Sequence, residues 1–183
     1  MAERMANIIL LVEDLNQENL LRRYLQKLGQ NNRDMRLRKS PKGRGSGEQF
    51  VREQYASEVR AIRSQMARTK ACLIAMVDAD AGSIDDRRQQ LQRELRDAGV
   101  ALRGPAEPIL NLVPKRNVET WILCLNSKPV DEVTDYRRNA GVDAQSIKQA
   151  AQILYDWTRA NTVLPTHCVP SLQDCLPEFR RIP

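Results

Sequence analysis

The sequence predicts an α/β domain built on a largely parallel, Rossmann-like central sheet flanked by helices, with a helical extension at the carboxyl end. Three observations predict it. Short continuous apolar runs, Ile8 to Val12 and Ala71 to Val77, have the length and composition of strands buried on both faces. Segments whose apolar residues recur at helical spacing alternate with these runs. The runs also end in acids, Glu13 after the first and Asp78 and Asp80 after the other. Ligands of parallel sheets gather at the carboxyl ends of the strands, so acids placed there are candidates for chemistry.

The elements follow in order. Asn7 to Glu13 is the first strand, and Asp14 or Asn16 can cap the helix after it. In that helix Leu20, Leu21, Tyr24, Leu25 and Leu28 recur at helical spacing, and Gly29 is a natural stop. Asp34 to Lys39 alternates Met35 and Leu37 with charge, the pattern of an exposed or edge strand. Ser40 to Gly47 is a basic, glycine-rich loop. Phe50, Val51, Tyr55, Val59, Ile62 and Met66 mark a long amphipathic helix from Gly47 to Arg68. The Ala71 strand precedes a helix from Ile84 to Ala98, with Asp85 and Asp86 in its first turn, Leu91 and Leu95 inward and Gly99 ending it. Ile109 to Val113 is a further strand and Val118 to Leu125 a further helix. Beyond Pro129 the pattern is looser, with a helix from Ile147 to Thr158 and a proline-punctuated tail. The expected organisation is a domain over residues 1–128 and a helical extension over 129–183 packed on it.

A chain of 183 residues is long enough to bury a sizeable core. Its net charge of +6 favours an anionic partner, and Arg33 to Lys70 alone carries eleven Lys and Arg against four Asp and Glu, a net of +7. A basic surface for nucleic acid is one consequence of such a run, and a solvated helix face is the other. No apolar run reaches membrane-spanning length and the first residues lack a signal-peptide core, so the expected protein is soluble and cytoplasmic with no membrane partner. Cys72, Cys124, Cys168 and Cys175 form no C-x-x-C pair, which removes support for a zinc ribbon or redox motif. His167 is the only histidine. Chemistry that needs several imidazoles is therefore disfavoured, and carboxylates must hold any catalytic metal.

Glu13 and the Asp78/Asp80 pair leave strands that can share one rim of the sheet. Asp78 and Asp80 are two apart, so in an extended chain both project to one side, toward one shared cation. Mg²⁺ takes oxygen ligands at about 2.0–2.1 Å and keeps several waters, so two or three carboxylates suffice when phosphate completes the sphere. The glycine-rich loop offers Lys42 and Arg44 for phosphate, although it lacks the P-loop order and reads equally as a linker.

Ile9 to Glu18, Ile74 to Asp80 and Val113 to Ile122 occur in an order that resembles the motifs of the topoisomerase-primase, or TOPRIM, superfamily, in particular its small stand-alone bacterial members of mobile-element and phage-defence loci. The resemblance covers about residues 7 to 126. It implies a TOPRIM-like fold and a nuclease site in which Glu13, Asp78, Asp80 and Glu119 are catalytic and hold Mg²⁺ or Mn²⁺. Glu13 would ligate a metal or act as general acid/base, and Lys115 and Arg116 would bind phosphate. Asn117 and Trp121 complete the third motif, Trp121 reading as core rather than as a base-stacking platform. Many relatives have glycine after the first glutamate, whereas this chain has Asp14, an additional possible ligand.

The expected function is metal-dependent cleavage of nucleic acid, DNA before RNA, in a phage-defence complex with an ATPase partner that the resemblance alone suggests. The alternative is a non-catalytic nucleic-acid-binding or regulatory subunit on the same scaffold, and a homo-oligomer is compatible with either. A haloacid-dehalogenase-type phosphatase with Asp78 as nucleophile ranks low, because that group carries D-x-D on its first strand, where this chain has Glu13.

Overall fold

The computed structural model describes residues 5–41, 45–139 and 141–183. Four strands, β1 (Asn7–Val12), β2 (Met35–Lys39), β3 (Ala71–Met76) and β4 (Ile109–Leu112), form one sheet in the order β2-β1-β3-β4. Every pairing is parallel, with Ile8 opposite Met35 and Cys72, and Ile74 opposite Leu110. The predicted largely parallel sheet flanked by helices is therefore present, and β2 is the edge strand that its charged alternation indicated.

Alternate side chains of each strand enter different cores, because successive residues point to opposite faces. Ile8, Leu10, Val12, Cys72, Ile74 and Met76 face a core shared with helices α1 (Leu15–Lys27), α4 (Val118–Leu125), α5 (Ala144–Trp157) and α6 (Pro170–Cys175). Ile9, Leu11, Leu73, Ala75 and Val77 face the opposite core, built with α2 (Gly47–Met66) and α3 (Ile84–Asp97). The layering explains the continuous apolar runs: β3, covered on both sides, has no exposed position to fill with a polar residue.

Strand order also fixes where a site can form. From β1 the chain passes through α1 to β2 on one side, while β3 lies on the other side of β1. The exits of β1 and β3 thus flank a topological switch point, the position at which open α/β sheets bind their ligands.

The segment beyond residue 128 adds to the first core. Ile147, Ala150, Ala151, Leu154, Val169, Leu172, Leu176 and Phe179 are buried there with Leu20, Leu21, Tyr24 and Trp121. A 3-10 turn at Leu176–Arg181 runs beside β4. Its Glu178 accepts the Asn111 N–H at 2.9 Å, and Cys175 Sγ accepts the Val113 N–H at 3.5 Å. The exposed edge of β4 is covered in this way, which blocks strand addition there. Among the described residues no helix is long and apolar enough to cross a membrane.

Candidate functional site

Glu13 follows β1 directly, and its Oε1 accepts the backbone N–H of Asp78 at 2.5 Å. That bond ties the two strand exits together across the switch point. Gln17, fully buried, braces the same pair: its Oε1 accepts the Glu13 N–H at 2.9 Å and its Nε2 donates to Asp78 Oδ1 at 3.0 Å. Asp14 is the cap of α1, its Oδ1 accepting the Gln17 N–H at 2.9 Å. Asp14 thereby begins the helix turn that brings Gln17 into place.

Past β3 the chain continues beside β4, with Val77 N–H donating to Leu112 O and Ala79 N–H to Pro114 O. It then leaves extended geometry at Asp80, whose φ is 52°. The extended-chain expectation for the Asp78/Asp80 pair is corrected at this point. A left-handed residue turns the chain, and aspartate tolerates that conformation better than most side chains do. Asp78 is 1 % exposed and Asp80 36 %, so one carboxylate is enclosed and the other sits at the rim. They still share a neighbour: Arg137 Nη2 pairs with Asp80 Oδ1 and lies 3.9 Å from Asp78 Oδ2.

Glu119 enters from α4. Asn117 caps that helix, its Oδ1 accepting the Thr120 N–H at 3.3 Å, which places Glu119 in the first turn. Glu119 is 3 % exposed; its Oε1 accepts from Asn16 Nδ2 at 2.7 Å, while its buried Oε2 has no partner among the described residues. A buried carboxylate oxygen left without a donor costs free energy, on the order of 1–3 kcal/mol, unless a cation or a proton compensates.

The electrostatics follow from this crowding. Burial pushes Glu13 up to about 8, its bond from the Asp78 N–H opposing that shift and Asp80 and Asp14 adding to it. Asp78 is raised well above the ordinary carboxylate range, first by burial and then by Glu13, Asp14, Glu119 and Asp80. Glu119 is raised by burial as well. Five acids from three segments therefore interact at one rim.

The basic residues divide. Lys115 Nζ donates to Gly82 O at 2.6 Å, fastening the loop before α3. Arg116 approaches Asp135 at 3.6 Å, and its buried Nε has no partner among the described residues. Lys42 and Arg44 lie outside the described residues. Within the basic run, Arg38, Lys39, Arg52 and Arg63 pair with Glu58, Glu18, Glu48 and Glu107 respectively, so part of its charge is spent inside the molecule.

No protein-family model, no curated protein and no solved structure matches the chain. The site is therefore read on its own chemistry. Its donor set is hard carboxylate oxygen, the kind that Mg²⁺ and Mn²⁺ take, and Glu119 Oε2 is a buried acceptor with no partner among the described residues. Among the described residues no group of three or more His, Cys, Asp or Glu side chains is arranged to hold a metal ion. The donors fit in kind, and their arrangement is held by hydrogen bonds and by Arg137.

Sequence reasoning missed Gln17, Arg87, Asp135 and Arg137. Arg87, from the first turn of α3, donates to the Asp78 carbonyl at 2.9 Å and pairs with Glu48. The signal for Gln17 was present: an N-cap acid followed three residues later by Gln is close to a capping box.

One glycine of the loop has a clear task. A Cβ at Gly47 would stand 2.8 Å from Glu13 Cβ and 2.9 Å from Glu13 O. The start of α2 thus packs directly on the backbone that presents Glu13. Gly47→Ala is expected to cost about 1–3 kcal/mol, as overpacking does, and to displace Glu13. Urea denaturation of the variant measures the cost, and an unchanged midpoint would show that the helix start yields freely.

Proposed function

We propose that this chain is a TOPRIM-type phosphodiesterase that uses Mg²⁺ or Mn²⁺ to cleave nucleic acid, with DNA preferred to RNA. The observation that carries the reading is the meeting of Glu13, Asp78 and the buried Glu119 Oε2, which has no partner among the described residues, at the switch point of a parallel sheet. A carboxylate strongly perturbed by burial and by named charge partners at such a rim is a candidate functional group.

Asp78 and Asp80 would hold the metal, with Glu119 or Glu13 completing the protein ligands. When bound, the ion would neutralise the phosphodiester and lower the pKa of attacking water. The residues supply the rest. Gln17 and Asn16 fix the orientation of Asp78 and Glu119, leaving each carboxylate an oxygen that accepts no bond from those amides. Glu13, braced by the Asp78 N–H, is the candidate general acid/base. Asp80, half-buried at the rim, would be the carboxylate most open to a polymeric substrate.

A second reading, a non-catalytic nucleic-acid-binding or regulatory subunit working with an ATPase, is favoured by one observation: Arg137 already engages both Asp78 and Asp80. The two readings separate in one assay. Purified chain incubated with DNA or RNA in Mn²⁺ or Mg²⁺ is expected to cleave, and chelation is expected to abolish cleavage. Nucleic-acid binding with no cleavage in either metal, alone or with an ATPase, would favour the second reading.

A further inference from the structure

Arg137 belongs to a loop, residues 131–139, that folds back over the rim. Asp131 Oδ1 accepts the N–H groups of Val133 and Thr134 at 2.8 and 2.6 Å, and Tyr136 OH is 3.3 Å from Asp131 Oδ2, which makes the loop a defined turn. Asp135 anchors it to α4, its Oδ1 accepting from Asn117 Nδ2 at 2.8 Å and from the Arg137 N–H at 3.0 Å. The capping residue of the helix that carries Glu119 therefore also positions Arg137.

We propose that Arg137 is the phosphate-contacting residue of this site, resting on Asp78 and Asp80 when no metal is bound and released to the substrate when a divalent cation takes those carboxylates. The inference rests on the metal-dependent reading above. Three facts carry it. The guanidinium lies against both Asp78 and Asp80, so a cation shared by those two carboxylates would compete with it for them. The side chain is 45 % exposed, so it can leave the carboxylates without unpacking a core. Its second nitrogen stays near Asp135, 3.8 Å away, which keeps the released group at the rim. A guanidinium there offers a planar fork that matches a phosphodiester, a geometry that Lys115, held by Gly82 O, does not supply.

The test measures Mn²⁺ binding by calorimetry and binding of a DNA oligonucleotide in Ca²⁺, which takes the same oxygen ligands. Wild type, Arg137→Gln and Arg137→Lys are compared. With the competitor removed, Arg137→Gln should bind Mn²⁺ about tenfold more tightly, because the carboxylates no longer spend most of their time engaged. The same variant should bind the oligonucleotide about tenfold more weakly, and Arg137→Lys, which keeps charge but not the fork, should fall between. If Arg137→Gln fails to fold, Arg137→Lys carries the same directions. Mn²⁺ binding to wild type with no gain in either variant overturns the inference and leaves the metal site standing. A gain for Mn²⁺ with unchanged oligonucleotide affinity also overturns it, by denying the phosphate contact. Absence of Mn²⁺ binding in all three proteins is a different failure, which removes the proposed function and this inference together.

Discussion

Asp78→Asn is expected to abolish metal-dependent cleavage while making the metal-free protein more stable above neutral pH. Loss of the metal ligand proposed at Asp78 would remove several kcal/mol of charge stabilisation, and about 4 kcal/mol corresponds to roughly a thousandfold in rate. The stability effect has the opposite sign because Asp78 is enclosed among acids. An ionised carboxylate there is deprived of water and repelled by Glu13, Asp14, Glu119 and Asp80, and a neutral amide is not. The amide of the variant would keep an oxygen for Gln17 Nε2 and lose only the distant pairing with Arg137.

The pH dependence sharpens this expectation. Glu13 titrates near 8 in the folded chain against an ordinary value of 4.5, so between those limits the native state binds more protons than the unfolded one. Unfolding free energy must then fall as pH rises through that window, by up to about 1.4 kcal/mol per pH unit for each such group. Asp78, shifted in the same direction, adds to the slope. Urea denaturation in EDTA from pH 4.5 to 8 should show stability declining in wild type and declining less in Asp78→Asn. A variant that cleaves at the parental rate would make Asp78 structural. One that is less stable than wild type at pH 8 would mean that the ion pair with Arg137 outweighs the repulsion.

Much of this arrangement was legible in the sequence because burial leaves a local trace. A strand covered on both faces, such as β3, can contain nothing polar, and an acid directly after it marks the exit. Glu13 and Asp78 are legible in that way, as strand exits, whereas Glu119 comes only from the resemblance of Val113 to Ile122 to the third TOPRIM motif. What was not legible depends on contacts between distant segments. Arg137 reaches Asp80 across 57 residues from a loop with no apolar period, so no pattern near either residue announces the pair. The turn at Asp80 is a single backbone angle, invisible in a D-x-D spacing that reads as extended. Gly47 was read as part of a phosphate or linker loop because its real constraint, the backbone of Glu13, lies far earlier in the chain. The tail concealed its helical turn for another reason: Pro170 and Pro177 interrupt the spacing of Leu172, Cys175, Leu176 and Phe179, although all four are buried.

That concealed tail carries the second large effect. A chain truncated after residue 128 is expected to lose cooperative folding altogether. Ile147, Leu154, Val169, Leu172, Leu176 and Phe179 are buried against the first core, and burying a large apolar side chain contributes roughly 1.5–3 kcal/mol. Six of them amount to about 9–18 kcal/mol, as much as the whole net stability of a typical domain, about 5–15 kcal/mol. Truncation would also strip polar partners from groups that stay behind. Trp121 Nε1 donates to Ser171 Oγ at 2.7 Å, and the N–H groups of Asn111 and Val113 depend on Glu178 and Cys175. The apolar face of α1, with Leu20, Leu21, Tyr24 and Leu25, would lose the cover of α5 and invite aggregation. Expression of residues 1–128, followed by circular dichroism melting and size-exclusion chromatography, gives the answer. A monomer with a sharp thermal transition would make the segment after residue 128 a dispensable extension, and the delivery of Arg137 to the acidic rim would then be its principal contribution.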